Sequence, residues 1–359
     1  MTSPDLAPST RWPGFALNGL VLFLVVATGL ILYFTCFFLG KQWDSAHRFL
    51  KNYRPPSDYE AQIEYVMRYA FQSSEKNDVI FLGDSTCLVG LEPNKFEQLT
   101  GLKAYNLSSV GVIGMAGFNI VFRDYLQHHP KPRVLVFCVH PALLPVSATQ
   151  LQPRMIMTQF FWAYGGDTQL PVPPDVKSGN YFIEEGAKII VGWVMGGIDH
   201  YVDVPIPRRK GLTFNSLGRQ ISDQRGFWAH PGVMPAYRRR PVDPQKPLFL
   251  SLDYQRGLDD LARLTSANGI TLLIRLSPMM AGASTENFSR LDSELKDFES
   301  AHQDVVVSRP EVLERPPSDF AELSHLNRSG ADDFTAFVAG EVTKLMADRP
   351  ATANLTPAH

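Results

Sequence analysis

The stretch Asp78-Val79-Ile80-Phe81-Leu82-Gly83-Asp84-Ser85 decides how the rest of the chain reads. Four consecutive apolar side chains, two of them β-branched, fit a strand buried on both faces of a parallel sheet. Open α/β sheets bind their ligands at the carboxyl ends of the strands, so a serine just past this run stands where such folds place chemistry. A helix beginning after Ser85 would add its unpaired amides to that position and favour negative charge there.

The sequence downstream repeats the theme. Pro93 opens a short helix predicted over 93–100, and 102–107 reads as a second strand. A helix over 113–128 places Phe118, Val121, Phe122 and Tyr125 on one face, and 134–139 is an unbroken apolar strand. After a gap the pattern returns: a helix over 253–268 closed by Gly269, a strand over 270–276, a helix over 287–301, a short strand over 305–307 and a final helix over 330–347. Strands alternating with helices predict an α/β fold with helices on both faces of a central parallel sheet.

Between these halves, residues 143–246 read as an insertion rich in proline, glycine and aromatic residues. From 208 to 240 it carries eight Lys/Arg against the single acid Asp223, a basic stretch suited to lipid headgroups or an anionic glycan, or simply to solvent. The other departure is N-terminal. No charge lies between Arg11 and Lys41, and 20–39 is nearly all apolar. Twenty helical residues span about 30 Å, the thickness of a bilayer core. The run ends in Phe37-Phe38-Leu39-Gly40-Lys41 and not in a small-x-small cleavage site, so it reads as a retained transmembrane anchor. The predicted organisation is a tail over 1–13, an anchor over 14–40, a helical neck over 41–77 broken at Pro55-Pro56, and one domain over 78–359.

Composition sets the outer limits. The chain has 359 residues, 45% hydrophobic and 19% charged, which suits an ordered globular protein. A net charge of −2 argues against a general nucleic-acid binder. Three cysteines, Cys36, Cys87 and Cys138, form neither a disulfide framework nor a zinc-ligand spacing. No metal or cofactor is expected. Cys87 reads as a small buried filler.

A serine hydroxyl needs a base to become a nucleophile. The segment Glu322-Leu323-Ser324-His325-Leu326-Asn327, just before the final helix, offers one. A carboxylate three residues before a histidine can reach its Nδ1–H and fix the tautomer; Glu322 fills that role, with Asp319 as the alternative acid.

Gly83-Asp84-Ser85 after a buried strand, with a late acid-x-x-His before the last helix, resembles the SGNH (GDSL) hydrolase superfamily over most of 78–140 and 250–345. The resemblance implies an SGNH-like three-layer sandwich preceded by one N-terminal transmembrane helix. It implies Ser85 as nucleophile and His325 as base. The oxyanion hole would be made by the amides of Ser85 and Gly111, the latter from Asn106-Leu107-Ser108-Ser109-Val110-Gly111, with Gly114 in reserve. Asp84, Asn106 and His140 would border the substrate. Two features depart from the family pattern. Glu322 stands where the family has Asp, and Val139-His140-Pro141 replaces its Gly-x-Asn-Asp block, which leaves His140 as a substitute donor.

The anchored layout is similar to the membrane-bound branch of the family that modifies surface polysaccharides, the D-alanyl transfer (DltD) and polysaccharide O-acetylation proteins. For this chain that implies an acyltransferase or esterase moving an acetyl or D-alanyl group to or from a cell-surface glycan or acyl carrier. The implied partners are a multi-pass membrane O-acyltransferase, an acyl carrier and a glycan or lipid-linked acceptor. The implied location is the bacterial cytoplasmic membrane, single-pass, with the domain outside the cytoplasm. The charge tally alone, with Lys41, Arg48, Lys51 and Arg54 following the apolar run, would put the domain inside. Two other readings stand beside this one: a non-catalytic scaffold for a carrier or glycan, favoured by the missing Gly-x-Asn-Asp, and a lipase or thioesterase that needs no partner.

Overall fold

The computed structural model describes residues 19, 21–32, 66, 69–70, 75–146, 214–230, 232, 248–281, 288–308 and 313–348. The predicted tail, most of the predicted anchor and neck, and most of the 143–246 insertion lie outside the described residues. Within the predicted anchor, 21–32 is helical, and Leu22, Phe23, Val25 and Ile31 are all exposed. Among the described residues no helix is long and apolar enough to cross a membrane.

The core is an α/β layer structure. Strand β1 (Val79–Gly83) leads into helix α1 (Ser85–Gly90) and helix α2 (Pro93–Thr100), then β2 (Ala104–Asn106) and α3 (Gly114–His128). Strand β3 (Val134–Val139) follows, and α4 (Phe214–Asp223) lies within the insertion. Helix α5 (Leu252–Ser266), β4 (Thr271–Leu276), the two-residue β5 (Met279–Met280), α6 (Ser289–Ala301), β6 (Val305–Val307), β7 (Glu314–Arg315) and α7 (Arg328–Asp348) complete the order. Five strands form one parallel sheet in the order β2-β1-β3-β4-β6, while β5 and β7 pair separately.

Alternation along the strands builds a core on each face. Ile80, Leu82, Leu135, Phe137, Leu272 and Ile274 pack toward Phe118 and Phe122 of α3 and Leu258 and Leu261 of α5. Val79, Phe81, Val134, Val136 and Leu273 pack on the other side with Phe96 of α2 and Phe334 and Val338 of α7. Burial on both faces explains why β1 and β3 read as continuous apolar runs without a period-two pattern. Local signals set the helix ends: Ser251 accepts from the Tyr254 amide at the start of α5, and Gly101 closes α2 at φ 71°.

The order of the sheet fixes the place of the site. Successive strands run to one side from β1 to β2 and to the other from β1 to β3, so the direction of winding reverses between β1 and β3. The crevice at such a reversal is where doubly wound sheets take their ligands. Gly83, at the carboxyl end of β1, allows close approach there: a Cβ on it would lie 1.6 Å from the Cys138 carbonyl oxygen of β3.

Candidate active site

Ser85 sits at that crevice as the first residue of α1. Its predecessor, Asp84, is fully buried, and one carboxylate spans two elements. Oδ1 accepts from the Thr86 amide (2.9 Å), the Thr86 hydroxyl (2.5 Å) and the Cys87 amide (3.4 Å), which caps α1. Oδ2 accepts from the His140 amide at 2.8 Å and ties α1 to the end of β3. Asn106, also fully buried, donates to the Cys87 and Leu91 carbonyls at 3.1 and 2.8 Å and accepts from the Ser108 amide at 2.9 Å. Asp84 and Asn106, expected to border the substrate, are both buried and hydrogen-bonded within the protein, where they shape the turns on which Ser85 and Gly111 stand.

His325 arrives from the other end of the chain. Phe320 and Leu326 form an antiparallel bridge and bury their side chains, while the Ala321 and Glu322 amides both donate to the His325 carbonyl. This tight return turns Glu322 and His325 toward each other. Asn327 closes the loop by donating to the Ser318 carbonyl and accepting from the Gly330 amide in the first turn of α7. His325 Nε2 lies 2.9 Å from Ser85 Oγ, and its Nδ1 lies 3.2 Å from Glu322 Oε2. The hydrogen bond from His325 is the main cause that holds the Glu322 carboxyl down at about 2; burial opposes it and the neighbouring His230 imidazole assists. An ionised Glu322 places the imidazole proton on Nδ1 and leaves Nε2 to accept from Ser85. Asp319, the alternative acid, takes the hydroxyl of Ser318 on its carboxylate, and no hydrogen bond links it to His325.

Two backbone amides lie at the same end of the sheet, those of Ser85 and Gly111. The cap on α1 engages the Thr86 and Cys87 amides and passes over that of Ser85. Gly111 opens a 3-10 turn whose glycine Cβ would sit 3.4 Å from Asp84 Cβ, so its backbone runs beside the α1 cap. Among the described residues neither the Ser85 nor the Gly111 amide is matched to an acceptor. The amide of Gly114, the reserve donor, donates to the Gly111 carbonyl. His140 caps the turn after β3, and its Nδ1 accepts from the Ala142 amide at 3.2 Å. Burial pushes its imidazole below the ordinary histidine range, with Asp84 opposing, so it is neutral near pH 7 and carries its proton on Nε2.

One partner of this constellation has no counterpart in the sequence reading. His230, whose side chain is 6% exposed, points Nε2 at Glu322 Oε1 from 3.0 Å. It is delivered by residues 225–230 of the insertion, which run from the outer edge of β2 to the site. Arg225, at φ 55°, pairs with Glu97 at 2.6 Å and donates to Asn77 at 2.8 Å, and its carbonyl accepts from the Asn106 amide. Gly226, at φ 91°, lies so close to β2 that a Cβ would meet the Asn106 oxygen at 1.9 Å. Phe227 is buried in the core beside α7, and the Trp228 amide donates to the Leu88 carbonyl of α1. No local motif announces a histidine that sits 92 residues from its partner.

His230, Glu322 and His325 each bring one ligand atom within 4.8 Å of the others, a grouping able in principle to take a metal ion. The hydrogen bonding around it favours protons. The Gly232 amide donates to His230 Nδ1 at 3.1 Å, which puts the imidazole proton on Nε2, the atom a metal would need bare. The grouping is a carboxylate clasped by two N–H donors.

Comparison of the chain with protein-family models, with curated proteins and with solved structures finds no match in any of the three.

Proposed function

We propose that the chain is a membrane-anchored, SGNH-like serine acyltransferase or esterase. The observation that carries this reading is the relay Ser85–His325–Glu322, in which one imidazole bonds the serine at 2.9 Å and the carboxylate at 3.2 Å. Ser85 Oγ attacks the carbonyl carbon of an acyl ester or thioester as its proton passes to His325 Nε2. The imidazolium formed is stabilised by ionised Glu322. Negative charge gathers on the former carbonyl oxygen, and the amides of Ser85 and Gly111 are the donors for it, with His140 Nε2–H as the third. The tetrahedral intermediate collapses, the leaving group takes the proton from His325, and an acyl-serine remains. An acceptor hydroxyl then reverses the steps, its proton going to His325 and the acyl group leaving Ser85.

Anchoring is supported by the apolar run over 20–39 and by the exposed apolar side chains of its helical part. With the domain outside the cytoplasm, the acceptor is a hydroxyl of a cell-surface glycan or an acyl carrier, and the acyl donor, acetyl or D-alanyl, is handed over by a membrane O-acyltransferase. The test is acyl transfer by the full chain in detergent, from acetyl and D-alanyl thioesters to glycan acceptors, followed by intact mass. An acyl adduct on the wild type that is absent from Ser85→Ala, with turnover raised by glycan, is the expected result. Transfer undiminished in Ser85→Ala would assign the chain a scaffold's role and overturn the proposal.

A further inference from the structure

Glutamate has one more rotatable bond than aspartate, and the Glu322 side chain is 49% exposed. A carboxylate on a long, half-exposed arm has several rotamers to choose from, and most of them would turn it away from His325 Nδ1. The loop over 320–327 fixes the Glu322 backbone and leaves its χ angles to be fixed by something else. That something is the second oxygen: Oε1 receives a bond from His230, which is itself buried. His230 is in turn held by the Gly232 amide on Nδ1 and by Trp228, whose ring centroid lies 5.5 Å away. The donor at Nε2 is therefore both oriented and of defined tautomer.

We propose that His230 is a positioning residue of this site: its Nε2–H clasps Glu322 Oε1 and so keeps Oε2 on His325 Nδ1 throughout turnover. The proposal rests on the reading of Ser85 and His325 as nucleophile and base. It gives the insertion a defined task, since residues 225–230 carry the clasp from β2 to Glu322. A glutamate at the acid position and a histidine on the strap then form a matched pair, the second holding in place what the longer arm of the first would lose.

Two amides separate this role from simple packing. Glutamine extends an N–H close to where histidine has Nε2, whereas asparagine reaches only as far as Nδ1. His230→Gln therefore keeps the clasp, and His230→Asn removes it with a side chain of the same chemistry. The full chain in detergent is labelled with a serine-reactive fluorophosphonate, and the downfield proton signal of His325 Nδ1–H, identified by its loss in Glu322→Gln, is followed by NMR. Loss of the hydrogen bond that orients a ligating side chain costs about 10–100-fold at metal centres, and a clasp on a carboxylate that orients a base is expected to matter on the same scale. The expected result is labelling within about threefold of wild type for His230→Gln and at least about tenfold slower for His230→Asn. The Nδ1–H signal should persist in the first and broaden away in the second, with equal denaturation midpoints showing both variants folded. Equal labelling rates and an unchanged Nδ1–H signal in His230→Asn would overturn the proposal. If the wild-type serine does not label at all, the reading of Ser85 fails, and the NMR comparison still decides whether His230 holds the carboxylate.

Discussion

The loop over 320–327 and the strap over 225–230 each bring one imidazole to Glu322, and they do it by opposite means. The loop is a local device. Its carboxylate and its base are three residues apart, its turn is closed by its own backbone, and Phe320 and Leu326 pin it to the core beside α7. The strap is a long-range device. It depends on Arg225 reaching Glu97 and Asn77, on Gly226 lying flat against β2, and on the Leu88 carbonyl of α1. The comparison separates two kinds of contribution to one site. A local turn places His325, the base of the proposed mechanism, and a distant segment brings His230 to the carboxylate beside it.

That division of labour can be broken in order of expected effect. Removing the base itself should cost most: His325→Ala is expected to reduce acyl transfer by about 10⁴–10⁶, as in other serine sites deprived of their histidine. Glu322→Gln, which reverses the tautomer preference of His325, is expected to cost about 10³–10⁴ in rate with little change in KM. A strap substitution that cost as much as either would mean that His230 touches the reacting atoms. Gly226→Ala should sharpen the comparison. Its Cβ meets backbone at 1.9 Å and its φ of 91° is costly for alanine. The strap would lift from β2, lowering the rate about tenfold through the loss of His230, with about 1–3 kcal/mol lost in denaturant stability. A rate unchanged while stability falls would reduce the strap to packing alone.

The smallest effect is read by acid. Glu322 has its folded carboxyl at about 2 against an ordinary value of 4.5. A group depressed on folding contributes stability that is complete above its unfolded value and is lost as pH falls through the folded one. The stability margin of wild type over Glu322→Gln should therefore be full above about pH 4.5 and shrink toward pH 2. Guanidinium midpoints across that range check it, and a margin that grew with acid would contradict the clasped carboxylate.

Much of this was written in the sequence where the signal is local. Strands β1 and β3 are apolar runs because both faces are covered, and Pro93 with Gly101 brackets α2 as predicted over 93–100. Ser85, Glu322 and His325 were legible because each lies in a short block: a strand end, and an acid three residues before a histidine. The hydrogen bonding of Asp84 and Asn106 was not legible, since a polar residue beside a motif is indistinguishable in sequence from one that caps the turn bearing it. The pairing of β5 with β7 was invisible because two residues carry no periodicity. His230 was invisible for a different reason. Its meaning comes from Arg225 and Gly226 docking on β2, a contact between segments separated by more than a hundred residues, for which spacing gives no cue.

The most direct test of the central claim is intact-mass analysis of the full chain after reaction with a fluorophosphonate, with Ser85→Ala and His325→Ala alongside. A serine activated by its 2.9 Å bond to His325 predicts one adduct on the wild type and none on either variant. A folded wild type that takes no adduct, or an adduct that survives in Ser85→Ala, would contradict it.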